Sequence, residues 1–188
     1  MTLTGALADT HRIDSGNRSF SAAARRRRLL KVRRQSRVMQ NIAIILTLLL
    51  LPYWLLILAH VPEVFCGRVG IALVFAFTGV GHFIKTSAMT QMLPGWVPMR
   101  VSLVYITGVF ELLAAVAILI PPLSRYVGLA LCVFLLLIVP SNIYAALQRV
   151  DFGGHAAGPN YLLVRIPLQF FLIGWVYWFA VRQYENTA

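Results

Sequence analysis

The chain has 188 residues, of which 59% are hydrophobic and 12% charged, and its formal net charge is +11 at pH 7. Soluble domains usually carry about 25% charged residues, so this composition excludes an ordinary soluble domain and indicates an integral membrane protein. The apolar residues form continuous Leu-rich runs, whereas the strands of a lipid-facing barrel alternate apolar and polar residues. We therefore predict an all-α membrane protein.

The N-terminal tail carries much of the charge, with ten of the 17 Lys and Arg residues in its first 37 positions. Three interpretations compete: a nucleic-acid-binding tail, a twin-arginine export signal, and basic residues that hold the N-terminus in the cytoplasm. No aromatic residues interleave with the arginines, and no small-residue cleavage site closes the next apolar run. We therefore predict residues 1–40 to be a disordered basic cytoplasmic tail that contacts anionic lipid and no nucleic acid.

Five apolar runs follow the tail, each near the roughly 20 helical residues that cross a hydrocarbon core. They cover residues 42–59, 69–84, 101–120, 126–147 and 161–181. The second run is the shortest, and it spans the membrane if it tilts or ends against protein. With a cytoplasmic N-terminus the C-terminus lies outside, and fourteen Lys and Arg residues then lie inside against three outside.

Several residues within these runs have structural interpretations. Pro52 and Pro140 lack an amide donor inside helical runs, which predicts kinks. Small residues in the second run predict close packing against a neighbouring helix; they are Gly70, Ala72, Ala76, Gly79 and Gly81. Cys66 and Cys132 fall near the same side of the membrane, and two free thiols are favoured over a disulfide because there is no CxxC spacing.

Four polar residues lie where lipid penalises them: His82, Glu111, Asn142 and Arg165. A lone charge in hydrocarbon costs at least about 2.5 kcal/mol, so such residues normally face the interior of a bundle and pair. Glu111 falls close to the bilayer midplane, and all four fall in the inner half of the membrane on four different predicted helices. Gln169 lies one helical turn beyond Arg165, on the same face.

This polar cluster has two interpretations that the sequence leaves equal. In the first, Arg165 reaches toward Glu111 and holds it ionised, while His82 and Asn142 complete a binding site that opens to the cytoplasm or the inner leaflet. In the second, the residues form a satisfied network that fixes the register of the helices. The sequence contains no recognisable metal cluster, phosphate-binding glycine loop or nucleophile motif, so we assign no catalytic residue and no metal ligand.

The same residues lie in segments that resemble a known family. The chain resembles the DoxX-like family of small bacterial membrane proteins in four segments: FAFTGVGHFIKTSAMTQMLPGWVPMR, YITGVFELLAAVAILIPPLSR, VPSNIYAAL and VRIPLQFFLIGWVYW. The matching branch has Gly-x-x-His-Phe, Leu-Pro-x-Trp-x-Pro and Gly-x-x-Glu motifs. The resemblance implies a four-helix transmembrane bundle over 67–182, with one extra N-terminal transmembrane helix at 41–60. It also carries the family's recurring polar positions onto His82, Glu111, Asn142 and Arg165.

The resemblance also implies a link to membrane redox chemistry, because some members resemble DoxD, a subunit of a thiosulfate:quinone oxidoreductase. The sequence has no haem-ligand pair, flavin fingerprint or redox thiol pair, so this role requires a bound quinone or a redox partner subunit that holds the cofactor. We expect an accessory or quinone-linked subunit of the bacterial inner membrane rather than a stand-alone enzyme. Two other functions stay open: a small-solute transporter or permeability factor, and a non-catalytic scaffold that uses the tail and residues 85–100. A homo-oligomer also stays possible under each of these functions.

Overall fold

The computed structural model describes residues 39–183 without a break, together with the single positions Arg25, Leu29, Val32 and Ser36. The regular structure of these residues is helical throughout. Five of the described helices are long and apolar enough to cross a membrane. The predicted all-α membrane class is therefore confirmed. The tail predicted over 1–40 lies almost entirely outside the described residues.

The helices are numbered in chain order. They are α1 (Met39–Leu58), α2 (Glu63–Ile84), α3 (Thr86–Thr90), α4 (Arg100–Ala117), α5 (Pro121–Leu137), α6 (Val139–Leu147) and α7 (Leu162–Val176). Two 3₁₀ turns precede α7, at His155–Ala157 and Pro159–Tyr161. A π-helical segment, Tyr177–Arg182, continues α7. The bundle consists of α2, α4, the α5–α6 pair and α7, and α1 is the extra N-terminal helix.

The second span is longer than its apolar run predicted, because α2 begins at Glu63 rather than at residue 69. Glu63 suits the first turn, where a carboxylate interacts favourably with the helix dipole. The predicted start of the helix at residue 69 excluded Arg68, but Arg68 lies within α2 and is buried. Its Nε donates to the carbonyl of Phe179, at 3.1 Å, in the π-helical segment. This partner lets a cation lie inside the span, so the predicted boundary is wrong by six residues.

The fourth span breaks where the sequence predicted a kink. Pro140 lies in the first turn of α6 and has no amide hydrogen to donate back to α5. Ile138 joins the two helices: its amide donates to the Phe134 carbonyl, and its carbonyl accepts from the Asn142 amide, both at 3.1 Å. The break at Pro140 is confirmed, and it sets Asn142 on a separate short helix. Pro52 lies within α1, and its kink stays a prediction.

The contact between α2 and α4 is the most extensive in the bundle, and it depends on two glycines. A Cβ on Gly79 would lie 3.2 Å from the Gly108 carbonyl oxygen, and a Cβ on Gly108 would lie 2.7 Å from the Cβ of His82. The predicted close packing is therefore confirmed at Gly79, whereas a Cβ on Gly81 would meet only the end of the Met89 side chain, at 3.5 Å. Gly79 precedes His82 by one turn, and Gly108 precedes Glu111 by one turn, so the same crossing brings those two polar residues together.

The backbone of the extra helix α1 packs directly against α2. A Cβ on Gly70 would lie 2.5 Å from the Leu49 carbonyl oxygen, and Leu49 is fully buried. Most other residues of α1 are exposed or half-buried. The predicted domain limits of 41–60 and 67–182 stay predictions, because helix packing does not decide where a domain starts.

The two cysteines are free thiols. Cys66 is buried and its Sγ donates to the Val61 carbonyl at 3.4 Å, while Cys132 donates to the Ile173 carbonyl at 3.8 Å. The favoured interpretation of two separate thiols is confirmed.

Candidate functional site

The first part of the site lies at the crossing of α2 and α4. Glu111 is buried, with 4% of its surface exposed. Its Oε2 lies 3.5 Å from Nδ1 of His82, which is half-buried. The hydroxyl of Thr78, one turn before His82, lies against the same carboxyl group. Two helices thus present an acid, an imidazole and a hydroxyl to one another inside the span.

The hydrogen bonds of His82 determine what Glu111 can do. Nδ1 of His82 lies 2.9 Å from the Thr78 carbonyl, and because a carbonyl only accepts, this nitrogen carries a proton that points to Thr78. The hydroxyl of Thr78 gives its proton to carbonyls of its own helix. The contacts of the described residues give Oε2 of Glu111 no hydrogen-bond partner, although the Thr78 hydroxyl lies near enough to hydrogen-bond with the same carboxyl group.

The second part of the site joins α6 to α7. Nδ2 of Asn142 donates to Oε1 of Gln169 at 3.3 Å, and Nε2 of Gln169 donates to the Leu135 carbonyl near the end of α5. Both amide side chains are buried. Gln169 therefore connects α7 to both sides of the break at Ile138, so this pair stabilises the interrupted fourth span.

Arg165 is the fifth predicted residue. It lies on α7, one turn before Gln169, and its charge has a small electrostatic influence on the Glu111 carboxyl group. Its Nε is buried and has no hydrogen-bond partner among the described residues. The sequence suggested a direct bond between Arg165 and Glu111. The contacts of the described residues do not include this bond, and the two charges interact without touching. Among the five predicted residues, contacts join His82 to Glu111 and Asn142 to Gln169, and a single site formed by all five stays a prediction.

Comparison with protein families gives one description of this region. A family model described as "Domain of unknown function (DUF8561)" matches residues 71–180, which is more than half of the chain. The chain belongs to the DUF8561 family. The matched part of the DUF8561 domain contains all five residues of the polar cluster. Comparisons with curated proteins and with solved structures give no match.

The DUF8561 domain contains a further buried histidine that the sequence analysis missed. His155 lies in the loop between α6 and α7 and is 2% exposed. Its Nδ1 lies 2.9 Å from the Phe152 carbonyl, and its ring packs edge-on against Tyr161 with centroids 4.9 Å apart. Its Nε2 has no hydrogen-bond partner among the described residues. The sequence analysis assigned no role to this glycine-containing loop; the available signal was a histidine six residues before a tyrosine at the helix start.

The environment of His155 favours the neutral form of its ring. Burial lowers the pKa of His155 from its ordinary value of 6.5, and the nearby charge of Arg165 lowers this pKa further. The hydrogen bond to Phe152 opposes that shift. With its proton on Nδ1, the neutral ring presents Nε2 as a hydrogen-bond acceptor.

The cluster offers hydrogen bonding rather than metal coordination as its visible chemistry. Among residues 39–183, no group of three or more His, Cys, Asp and Glu side chains is arranged to hold a metal ion. The buried polar atoms without partners in that range are two acceptors and one donor: Glu111 Oε2, His155 Nε2 and Arg165 Nε. Glu111 Oε2 and His155 Nε2 can each accept a hydrogen bond, and Arg165 Nε can donate one.

Proposed function

We propose that this protein binds the head group of a quinone at its polar cluster and acts as an accessory, quinone-linked subunit of a membrane redox system. The observation that supports this most is the buried carboxyl group of Glu111, whose Oε2 lacks a partner within the described part of the chain. A buried polar group without its hydrogen bond costs about 1–3 kcal/mol, and more if it is charged. A ligand that completes this bond offsets that cost.

The residues present fit a quinone head group. A quinone accepts hydrogen bonds through its two ring oxygens, and its reduced form donates hydrogen bonds through the same oxygens. In the protein, the buried Nε of Arg165 is a donor and Oε2 of Glu111 is an acceptor. Beside His82 on the lipid-facing surface, the rings of Phe83 and Tyr105 lie with centroids 5.7 Å apart, and both are exposed. Such an aromatic flank suits an apolar ring and tail that arrive from the lipid.

The roles of the side chains follow from their hydrogen bonds. A bound quinone would carry two electrons. We propose that a partner subunit with a redox cofactor exchanges these electrons with the quinone. Glu111 accepts and returns a proton at Oε2, beside the imidazole of His82, whose Nδ1 lies 3.5 Å away. Arg165 supplies positive charge that stabilises an anionic oxygen. Asn142 and Gln169 hold α6 and α7 in place around the site.

We further infer kinship with the DoxX-like family, and a place in the bacterial inner membrane with the N-terminus in the cytoplasm and the C-terminus outside. The four resembling segments support the kinship. The basic tail supports the orientation, as do Lys85, Arg100 and Arg149, which flank the loops at the cluster end of the bundle. Under this proposal the site opens toward the cytoplasmic leaflet.

Cysteine labelling tests the orientation. In a background with both native cysteines changed to alanine, Ala59→Cys and Gln91→Cys place one exposed thiol in each of two loops at opposite ends of α2. A membrane-impermeant maleimide should label Ala59→Cys in intact cells, and Gln91→Cys only after permeabilisation. The reverse pattern would contradict the proposed orientation.

Quantitative mass spectrometry of gently purified protein tests the quinone proposal. We compare quinone and copurified subunits per chain in wild type, Glu111→Gln and Glu63→Gln. Glu63 is the matched control, because it is an exposed carboxylate at the other end of the bundle, bonded to the Tyr53 hydroxyl at 3.1 Å. We expect quinone in wild type and Glu63→Gln and its loss from Glu111→Gln. Equal quinone in all three, or none in any, contradicts the proposal.

The same variants separate the alternatives. Uptake of a small polar solute into vesicles that Glu111→Gln abolishes would support a transporter. A partner that stays bound in Glu111→Gln but is lost when the basic tail is removed would support a scaffold.

A further inference from the structure

The connection between α2 and α4 is an ordered structure that begins one turn after His82. It covers residues 85–99 and contains the short helix α3, which packs against α4. The hydroxyl of Thr86 donates to the His82 carbonyl at 2.6 Å, and the hydroxyl of Thr90 donates to the Thr86 carbonyl at 2.8 Å. These bonds fix the connection against the end of the second span.

Two large apolar side chains of this connection point away from the bundle. Trp96 is 83% exposed, the highest value of any large hydrophobic side chain among the described residues, and Met99 is 75% exposed. The connection joins two membrane spans, one ending at Ile84 and the next beginning at Arg100. Its exposed apolar side chains therefore lie at a membrane surface.

The backbone at Met99 also indicates a contact outside the chain. Its φ is 50°, in the left-handed region that glycine adopts easily and a residue with a Cβ rarely adopts. A methionine at this position costs conformational free energy, and its exposed side chain makes little contact with the protein in return. A side chain that enters lipid offsets this cost, because its apolar surface leaves water.

The charge around these two side chains is of one sign. Lys85 is exposed at the start of the connection, and Arg100 follows its end as the first residue of α4. Residues 85–100 contain no Asp or Glu. Tryptophan is enriched at the interface between lipid and water, and Lys and Arg attract anionic head groups there. The connection thus combines both kinds of side chain that a charged lipid surface favours.

We propose that residues 85–100 form an interfacial anchor that binds anionic phospholipid. Trp96 and Met99 enter the leaflet at this end of the bundle, and Lys85 and Arg100 bind the anionic head groups. The lipid is the partner because the anchor starts and ends in the membrane and carries positive charge without acidic residues. Since the anchor continues directly from α2, it also sets the depth of His82 in the leaflet. The proposal does not depend on the proposed quinone site.

Quenching of tryptophan fluorescence in lipid nanodiscs tests the membrane contact. The emission of wild type minus that of Trp96→Phe isolates the Trp96 signal and leaves the other three tryptophans in place. The quenchers are phospholipids brominated near the glycerol end of their acyl chains, and iodide in the water. We expect the brominated lipid to lower the Trp96 signal about twofold and iodide to lower it by less than about a fifth. Quenching by iodide and not by the brominated lipid would overturn the proposal.

The preference for anionic lipid is tested with two nanodiscs of the same head-group composition. Each contains equal amounts of phosphatidylglycerol and phosphatidylcholine, and only one of the two lipids is brominated. If anionic lipid gathers at the anchor, brominated phosphatidylglycerol should quench Trp96 about twofold more strongly than brominated phosphatidylcholine does. Equal quenching by the two lipids in wild type would overturn the proposal, and this result needs no charge variant.

A matched pair of arginines tests the residues of the anchor. Arg100 and Arg125 are both half-buried and lie near the starts of α4 and α5, at opposite ends of the bundle. Arg100→Gln should lower the quenching ratio of the two lipids, and Lys85→Gln with Arg100→Gln should bring it to about one. Arg125→Gln should leave the ratio unchanged. Each variant is measured against its own Trp96→Phe partner, and equal ratios in Arg100→Gln and Arg125→Gln would contradict the assignment.

Discussion

At the end of the bundle where α2 begins, buried polar groups find partners within the chain. Arg68 donates to the Phe179 carbonyl at 3.1 Å, and the indole of Trp175 donates to the Gly67 carbonyl at 3.3 Å. The hydroxyl of Ser124, fully buried, donates to the Pro121 carbonyl at 2.9 Å. Elsewhere in the bundle, Glu111, His155 and Arg165 each have one buried side-chain atom without a hydrogen-bond partner among the described residues.

Both ends lie in the same kind of environment, so the difference is not one of burial. A partnered polar group fixes which helix faces meet, and it adds stability. An unpartnered group lowers stability until something binds to it. We infer that the first end holds the bundle together and that the second end accepts a ligand. Substitutions at the two ends should consequently separate stability from binding.

The largest effect is expected from adding a side-chain atom where α2 and α4 are in close contact. Gly108→Ala would put a Cβ 2.7 Å from the Cβ of His82, and both atoms are fixed to backbone. We expect it to lower the free energy of unfolding by about 3 kcal/mol and to release bound quinone. Gly174→Ala is the control, because a Cβ at position 174 would meet no atom of the described residues within 4 Å. Equal results for the two variants in a detergent unfolding titration would contradict this.

The next effect comes from the partnered end. Arg68→Met removes the charged donor to Phe179, and we expect a loss of about 2 kcal/mol in the free energy of unfolding. Quinone content should not change, since the site lies at the other end. Arg182→Met is the control: that side chain is exposed, 4.4 Å from the ring of Trp178, and contributes about 0.5 kcal/mol. Quinone loss in Arg68→Met would erase the distinction between the ends.

A smaller effect concerns pH. Burial and the charge of Arg165 lower the pKa of His155 in the folded state, while Tyr161 packs on the ring. The unfolded histidine titrates at its ordinary pKa of 6.5. The unfolded state therefore binds more protons as pH falls through this value, and the free energy of unfolding decreases by at most about 1.4 kcal/mol per pH unit. Above it the contribution is fully present.

Unfolding titrations between about pH 7.5 and 5 measure this slope. His155→Gln has no proton to take up, so its slope should be smaller than that of wild type over the same range. Parallel slopes would show that His155 does not titrate on unfolding.

The smallest change in stability is expected at Glu111, the residue on which the proposed binding site depends. Glu111→Gln keeps the size of the side chain and breaks no direct bond to Arg165, but it weakens the contacts of the carboxyl group with His82 and Thr78, so the free energy of unfolding should fall by about 1 kcal/mol. The same variant should lose its quinone. A loss of stability as large as that of Arg68→Met would mean that Glu111 belongs to the structural class.

Much of this arrangement could be predicted from the sequence. Hydropathy located the spans, because an uninterrupted apolar run has one stable state in lipid. The cost of burying charge selected Glu111 and Arg165, and the missing amide of Pro140 predicted the break in the fourth span. Each of these inferences depends on a property of one residue and its immediate neighbours.

What could not be predicted depends on partners distant in the chain. Arg68 lies within a span because a carbonyl 111 positions away accepts its hydrogen bond. His155 is buried because its loop folds back onto Tyr161, and nothing in its local composition distinguishes it from an exposed loop histidine. The tautomer of His82 follows from its contact with the Thr78 carbonyl, which only the helical geometry reveals.

The contact between Gly70 and α1 has a consequence for comparing relatives. The Leu49 carbonyl occupies the space that a side chain at position 70 would need. Position 70 also lies immediately before the region that the family model covers. A relative without α1 has no backbone at that surface, so lipid can fill it and any apolar residue is tolerated there. The size of the residue at this position should therefore indicate which members of the family carry a fifth helix.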